Sequence, residues 1–246
     1  MRRISICLLL IVLGITSACY AQNRSYKYLY RMVRLDSTYD AKLDPALSKY
    51  LERHKARLDK KMSEVIGYCA VTMNVASPQS PLSDLLTEWL LKDGPAAINQ
   101  PPCDLSILNF GGIRTNLQAG EVTVGDMFKI SPFDNYLTVV SIKGSELKKA
   151  VYRFRLDRLM AASAGMQVFY KNNTPYRIVI QNKDLEDDKI YRLITLNFIS
   201  DGGDHILSDV NFENKEYSMV VFRDFLIDEV KKMTKEGKSV SDGFAQ

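Results

Sequence analysis

The chain has 246 residues, of which 46% are hydrophobic and 25% charged. This balance is typical of a folded globular protein and excludes a disordered or fibrous chain, and the length allows one domain with a full hydrophobic core. Lysine and arginine number 33 against 29 aspartate and glutamate residues, without any basic run, so the charge pattern gives no reason to expect nucleic-acid binding.

The N-terminus has the pattern of a bacterial secretory signal. Two arginines follow Met1, a nearly continuous apolar run extends to Ile15, and small residues come next. The apolar run is too short to span a membrane. Cleavage after Ala21 would release a soluble protein, whereas cleavage before Cys19 would leave a cysteine for a lipid anchor. We therefore expect a signal peptide at residues 1–21 and export to the periplasm or cell surface, with both processing sites open.

An N-terminal extension at residues 22–43 precedes a series of predicted helices and strands. Alternation within the extension predicts an edge strand at residues 30–35. Three- and four-residue periodicity predicts helices at residues 44–62, 82–92, 124–128, 146–154 and 221–233, with Thr123 as the N-cap of the third. Apolar and β-branched runs predict strands at residues 65–71, 105–108, 136–142 and 191–197 and a hairpin at 167–180. Because helices, strands and a hairpin intermix, we expect one mixed α/β (α+β) domain over residues 44–246.

The first segment whose side chains suit ligand binding is Asn-Phe-Gly-Gly-Ile-Arg at residues 109–114. Gly111 and Gly112 allow the backbone to approach a ligand without a Cβ clash. Asn109 offers both a donor and an acceptor, and the Arg114 guanidinium suits phosphate or ribose oxygens. Taken alone, the segment also fits the more ordinary interpretation of a tight turn with a surface arginine.

Two later segments each place a phenylalanine in or beside a turn. Phe133 lies in Ser-Pro-Phe-Asp-Asn, and Phe198 precedes Ser-Asp-Gly-Gly-Asp. Each ring either offers its face to a planar base or fills the core, which for a turn aromatic is the more common role. Asp204 suits two ribose hydroxyls, or it caps a turn beside the glycines.

Taken together, the three segments are more specific than any one of them. In order and spacing they resemble the three signature loops of the 5′-nucleotidase C-terminal domain, and the resemblance covers residues 44–236. It implies a fold of layered sheets flanked by helices. It also implies that the ligand is a nucleotide or nucleoside.

The resemblance assigns roles to individual side chains. Phe133 and Phe198 match the two aromatic residues that sandwich the base, and Asp204 matches the carboxylate that binds the ribose. Arg114 matches the arginine that reaches ribose and phosphate, and Asn109 matches the asparagine that contacts the base or substrate. Three further residues match backbone and supporting positions: Gly111, Gly112 and Asn135.

The chain departs from the family pattern at several places. Asp134 stands where the family usually has glycine, and His205-Ile206 stands where it usually has glycine and an aromatic residue. An arginine expected near the second helix is absent between Gln79 and Lys92. We therefore expect weaker phosphate contact and a preference for nucleosides or for another nucleotide.

The residues needed for hydrolysis are not found in the sequence. The family hydrolyses phosphate esters at a two-metal site in a separate N-terminal domain, and such a site needs several histidine and aspartate ligands. This chain has two histidines, His54 and His205, and neither an Asp-x-His nor a Gly-Asn-His-Asp motif. We expect no catalytic residue, metal or other cofactor in this chain, and therefore expect it to be inactive alone. The divalent metals are expected in a separate metallophosphatase partner.

Three functions compete on this basis. The leading hypothesis is a nucleotide-recognition domain that acts with a separate metallophosphatase in nucleotide catabolism or salvage. The alternative is a non-catalytic module that binds nucleosides or nucleotides at the cell surface, and the third is a structural domain without a ligand. Cys69 and Cys103 form a disulfide in an oxidising compartment or remain two small thiols; the sequence leaves both open.

Overall fold

The computed structural model describes residues 29–34, 36, 44–154 and 161–242. The predicted signal peptide and the candidate lipid-attachment residue Cys19 lie outside these described residues. Within them, no helix combines the length and the apolar character that crossing a membrane requires.

The prediction of an edge strand at residues 30–35 was wrong for residues 30–34, the part of it that the structure describes. Residues 30–34 are exposed and adopt no regular structure. A strand needs a neighbour to pair its backbone N–H and C=O groups. No strand of the described sheets pairs with this segment, so alternation of side chains alone does not make it a strand.

The chain divides into two units, Met1–Leu51 and Glu52–Gln246. The second unit contains every strand of the described sheets. It also contains the three segments that the sequence singles out.

Helices form where the periodicity predicts them, with shifts of a few residues at their ends. The α-helices of the described residues are α1 (Pro45–Met62), α2 (Pro81–Lys92), α3 (Gly94–Ala97), α4 (Val124–Ile130), α5 (Gly144–Val151), α6 (Asn197–Ser200) and α7 (Phe222–Lys235). Ser80 begins α2 and Thr123 begins α4, each through a reciprocal capping box. The predicted N-cap role of Thr123 is therefore confirmed.

Three sheets make up the β-structure. The strands are β1 (Val65–Cys69), β2 (Leu105–Asn109), β3 (Gly120–Thr123), β4 (Tyr136–Lys143), β5 (Ala161–Ala164), β6 (Met166–Lys171), β7 (Thr174–Ile180), β8 (Lys183–Asp184), β9 (Ile190–Leu196) and β10 (Phe212–Val221). The largest sheet has the order β10-β4-β9-β2-β5, and the smaller ones are β1-β3 and β6-β7-β8. In the largest sheet β2 and β9 run parallel, and the other neighbours are antiparallel.

The core lies between this sheet and the helices packed on it. Helix α2 packs against β2 and β5, and α7 packs against β1 and β10. Every residue of β2 is buried, which is expected of an inner strand covered on both faces. The mixed α/β class with layered sheets and flanking helices is confirmed.

The predicted hairpin is also confirmed, as β6 and β7 joined at Asn172-Asn173. Both asparagines have positive φ, 50° and 62°. A two-residue turn with this backbone matches the right-handed twist of the flanking strands, and asparagine adopts it at low cost.

Candidate functional site

The topology brings the three segments to one edge of the five-stranded sheet. Strands β2 and β9 run parallel and both end there, and the antiparallel strand β4 begins there, with Leu137 opposite Leu196. We call residues 109–114 the first loop, 131–135 the second loop and 197–204 the third loop. Since neighbouring strands are about 4.8 Å apart, the sheet places all three loops side by side.

Hydrogen bonds tie the loops to one another. Asn109 Nδ2 donates to Asp204 Oδ2 at 2.7 Å and so joins the first loop to the third. Asn197 Oδ1 accepts from the backbone N–H of Tyr136 at 2.8 Å, which joins the third loop to the strand that follows the second. The backbone N–H of Arg114 donates to the carbonyl of Ile130 at 2.9 Å, just before the second loop. The relative positions of the loops are therefore fixed by polar contacts.

Asn109 is buried, with 5% of its surface exposed. Its amide nitrogen is engaged by Asp204, and its Oδ1 is buried without a hydrogen-bond partner in the described residues. A Cβ on Gly112 would lie 2.6 Å from that Oδ1, too close for any real contact. Gly112 is thus required by the buried amide of the first loop.

Asp204 lies in a left-handed backbone conformation, with φ of 52° and ψ of 16°. Gly202, at φ 95°, precedes it in the same turn. A Cβ on Gly203 would lie 2.5 Å from the Phe198 ring. The glycines of the third loop therefore let the turn close and let the ring rest against the backbone.

The two phenylalanine rings of the second and third loops are partly exposed rather than buried in the core. Phe133 is 46% exposed and Phe198 is 40% exposed. The interpretation of either ring as a plug for the core is therefore wrong. Both rings belong to loops at the same sheet edge, where each exposes apolar surface.

Arg114 is exposed and lies close to the second loop. Its Nη1 donates to the carbonyl of Gly111 at 3.0 Å, and its Cζ lies 5.9 Å from the centre of the Phe133 ring. The guanidinium is therefore held near an aromatic ring. Asn135 is half-buried, and its carbonyl accepts from the backbone N–H of Phe222 at 2.8 Å, a supporting position.

Two basic residues beside the loops were not singled out by the sequence. Arg223, in the first turn of α7, pairs with Asp134 of the second loop at 2.6 Å. Lys215, on β10, donates to the carbonyl of Ser200 and to Asp201 Oδ1, both at 2.9 Å. The sequence feature that could have pointed to Arg223 was Asp134 itself, because a carboxylate that replaces glycine in a turn is stabilised by a nearby cation.

The Asp201 carboxylate closes a small polar network at the end of α6. Its Oδ1 also accepts from the Tyr217 hydroxyl at 2.6 Å. Burial acts to raise the pKa of Asp201, but hydrogen bonds from Tyr217 and Lys215 outweigh it and lower that pKa. The network therefore favours the ionised carboxylate and anchors the C-terminal end of the helix that carries Phe198.

Other groups with potential chemistry lie apart from the loops. No cluster of three or more metal-ligating side chains occurs in residues 44–154 and 161–242 or in the short described segments before them. Cys69 and Cys103 are both free, and burial raises the pKa of Cys103 to about 11. A cavity of about 660 Å³ between α2 and the β5–β7 region is lined by residues such as Glu88 and Gln181, and not by the loop residues.

Comparison with known proteins supplies a family. A family model for the 5′-nucleotidase C-terminal domain matches residues 65–209. Protein UshA of Yersinia enterocolitica is 31% identical over 180 residues, which cover 70% of this chain and 32% of that protein. This chain thus spans about a third of the length of that relative.

Two solved structures resemble the fold. The 5′-nucleotidase precursor of Thermus thermophilus superposes with a TM-score of 0.62 at 21% identity, covering 76% of this chain and 40% of that one. The NAD nucleotidase of Haemophilus influenzae gives 0.57 at 19% identity, covering 77% and 39%. At these identities the similarity establishes the fold.

Proposed function

The chain belongs to the 5′-nucleotidase C-terminal domain family, and on that premise we propose that it is the nucleotide- or nucleoside-recognition part of a phosphoesterase. It binds the base and the sugar, while a metallophosphatase outside these 246 residues performs the hydrolysis. The role belongs to nucleotide breakdown and salvage.

One observation carries the proposal: the Asp204 carboxylate, held by Asn109 of the first loop, lies at the same sheet edge as the partly exposed rings of Phe133 and Phe198, on the second and third loops. A carboxylate that accepts hydrogen bonds from the ribose hydroxyls, together with two flat apolar faces for the base, suits a nucleoside. Each exposed ring forgoes about 25 cal/mol per Å² of burial free energy, and a stacked base would recover part of it.

The proposed roles follow from the positions of the side chains. Phe133 and Phe198 stack on the base, and the Asp204 carboxylate accepts hydrogen bonds from the ribose hydroxyls. Asn109 orients that carboxylate through its Nδ2, which differs from the direct ligand contact that the resemblance implied. Arg114 reaches the ribose or the phosphate from the rim. Three further positions support the loops without a proposed contact to the ligand: Gly111, Gly112 and Asn135.

A two-metal centre in the partner would activate water and stabilise the displacement at phosphorus. This chain contributes binding and orientation, which raise the rate because a held substrate loses less entropy on reaching the transition state. The departures at Asp134 and His205 leave the sugar-binding carboxylate in place.

Reconstitution tests the catalytic role. The purified chain is mixed with candidate exported metallophosphatases, and phosphate release from AMP is measured with and without it. We expect a rise in activity with the cognate enzyme and no rise with a Phe133→Ala/Phe198→Ala variant. An unchanged rate with every candidate would contradict the role in hydrolysis.

The charge of the loops favours a second candidate function, a module that binds nucleosides and takes no part in hydrolysis. The three loops contain one arginine, Arg114, against three aspartates, Asp134, Asp201 and Asp204. Asp134 and Asp201 have basic partners outside the loops, so a phosphate dianion meets one loop cation beside the Asp204 carboxylate. Calorimetry on the chain alone distinguishes the candidates: tighter binding of adenosine than of AMP supports nucleoside capture.

We also propose that the protein is exported, on the basis of the N-terminal signal pattern. Intact-mass measurement on the chain recovered from the cell envelope should show that residues 1–21 are missing, or that the chain begins at a lipid-modified Cys19. Recovery of the full-length mass would contradict export through this signal.

A further inference from the structure

We infer that Arg223 is a positioning residue for the Phe133 ring, acting through its ion pair with Asp134; its effect on ligand affinity rests on the proposed function. Neither Arg223 nor Asp134 is part of the recognition pattern that the resemblance supplies. Asp134 is one of the places where this chain departs from that pattern.

The contacts of Arg223 converge on the second loop. Its Nη2 lies 2.6 Å from Asp134 Oδ1, and its Nη1 lies 3.4 Å from the carbonyl oxygens of both Ser131 and Phe133. Its Cζ lies 4.0 Å from the centre of the Phe128 ring, on α4 just before the loop. One guanidinium therefore contacts the residue before the loop's proline, the stacking residue itself and the residue after it.

The helix that carries Arg223 holds the other end of the loop as well. Phe222, the first residue of α7, donates its backbone N–H to the carbonyl of Asn135 at 2.8 Å. Its side chain is buried. Adjacent residues of α7 thus fix the second loop on both sides of Phe133, and the loop position is set by the start of that helix.

Burial makes this guanidinium an effective anchor. Arg223 is 8% exposed, whereas the Asp134 side chain is 73% exposed. The Nε of Arg223 is buried without a hydrogen-bond partner in the described residues. Its Nη1 and Nη2 are engaged by the carbonyls and the carboxylate of the second loop, and a buried guanidinium that lost these partners would be costly. The Phe133 ring is half-exposed, so the backbone that carries it helps to fix where the ring lies.

A ligand-independent measurement tests ring positioning directly. The single tryptophan is first removed by Trp89→Phe. Phe133→Trp then introduces one indole at the stacking position. Fluorescence anisotropy and acrylamide quenching of that indole are then compared with and without Asp134→Ala, Arg223→Lys and Arg223→Met. We expect lower anisotropy and stronger quenching in Asp134→Ala and Arg223→Met, with Arg223→Lys in between because lysine lacks the planar fork.

Asp134→Ala keeps the test decisive if removing the buried Arg223 prevents folding. Removing the exposed Asp134 side chain opens no cavity in the core, and Arg223 keeps its contacts to two backbone carbonyls of the second loop. We therefore expect this variant to fold, with a melting temperature below that of the parent because Arg223 loses its carboxylate. The matched control is Asp184→Ala, which removes an Arg–Asp pair of the same 2.6 Å length, to Arg177 on the β6-β7-β8 sheet. This control should leave the indole signal unchanged.

The Kd for adenosine is then measured in the chain that retains the native Phe133 and Trp89. We expect Asp134→Ala to raise the Kd for adenosine roughly three- to tenfold, with no change for Asp184→Ala. If the unaltered chain binds neither adenosine nor AMP, the proposed function fails while the anisotropy still decides the positioning role. Unchanged anisotropy and quenching in Asp134→Ala would overturn the inference, as would an equal change in Asp184→Ala.

Discussion

The side-chain amide of Asn109 donates a 2.7 Å hydrogen bond to the Asp204 carboxylate, although 95 residues separate the two in the chain. Asn109 ends β2, and Asp204 follows β9, the parallel neighbour of that strand. The contact therefore depends on the strand order of the sheet, and it holds the carboxylate that we propose for the ribose.

Replacing Asn109 with aspartate should make ligand binding depend on pH. Two carboxylates at this distance cannot both ionise easily, so the pKa of one of them rises. At pH 8 the repulsion should displace Asp204 and weaken adenosine binding by roughly tenfold or more. At pH 5 a shared proton restores a hydrogen bond, and much of the affinity should return.

Calorimetry at the two pH values measures this effect. The control is Asp209→Asn, on an exposed turn after the third loop. It should bind adenosine as the unaltered chain does at both pH values. An Asn109→Asp variant with the same affinity as the parent at pH 8 would show that Asp204 does not bind the ligand.

Alanine at Phe133 and Phe198 should abolish binding while leaving the fold intact. Stacking is worth about 1–3 kcal/mol per base, and both rings are already partly exposed. In a thermal-shift experiment at about 100 times Kd, the parent should gain roughly 5–10 °C from the ligand, and the double variant should gain nothing. Phe169→Ala, a similarly exposed ring on β6, is the control and should retain the full shift.

Local patterns were sufficient to predict much of this fold. Apolar periodicity located α1, α2 and α7, and the asparagine pair located the β6–β7 hairpin. The predicted helix at 146–154 instead begins at Gly144 and ends at Val151, because helix ends depend on tertiary contacts as well as on propensity.

The strands that were missed had weak local signals. β3 and β5 have four residues each, too few to establish a period. β10 has ten residues, yet none of them is buried, so it lacks the alternation that a strand with one buried face shows. Tertiary pairing with β4 makes it a strand.

Missing β10 also meant missing the residues that support the rings. The sequence identified Phe133 and Phe198 through the resemblance, but Lys215 lies on β10 and Arg223 follows it at the start of α7. Asp134 and Arg223 are 89 residues apart. Their contact could not be read from spacing, because it requires the register of β10 on β4.

Two adjacent glycines of the first loop should respond differently to alanine. A Cβ on Gly112 would lie 2.6 Å from Asn109 Oδ1, whereas the contacts of a Cβ on Gly111 begin at 3.4 Å. Since Asn109 is buried and cannot easily move, Gly112→Ala should destabilise the fold by about 1–3 kcal/mol and weaken adenosine binding. Gly111→Ala should cost less than about 1 kcal/mol.

Urea denaturation and calorimetry on the two variants compare these effects. Equal losses of stability in both variants would contradict the steric explanation, because only the Cβ on Gly112 would come closer than 3.0 Å to the buried Asn109 amide.

Asp201 should contribute to stability at neutral pH and lose that contribution in acid. Hydrogen bonds from Tyr217 and Lys215 lower its pKa in the folded protein despite partial burial. A carboxyl whose folded pKa is lowered stabilises the fold fully above its unfolded pKa of about 3.9. The contribution is lost as the pH falls through the lower folded value.

Urea denaturation of Asp201→Asn at pH 7 and pH 3 tests this sign. We expect the variant to be less stable than the parent at pH 7 and the difference to shrink at pH 3. Asp228→Asn, on the exposed face of α7, is the control and should track the parent at both pH values. A difference that stays constant or grows in acid would mean that the ionised carboxylate does not anchor the end of α6, and the Phe198 ring would then need another support.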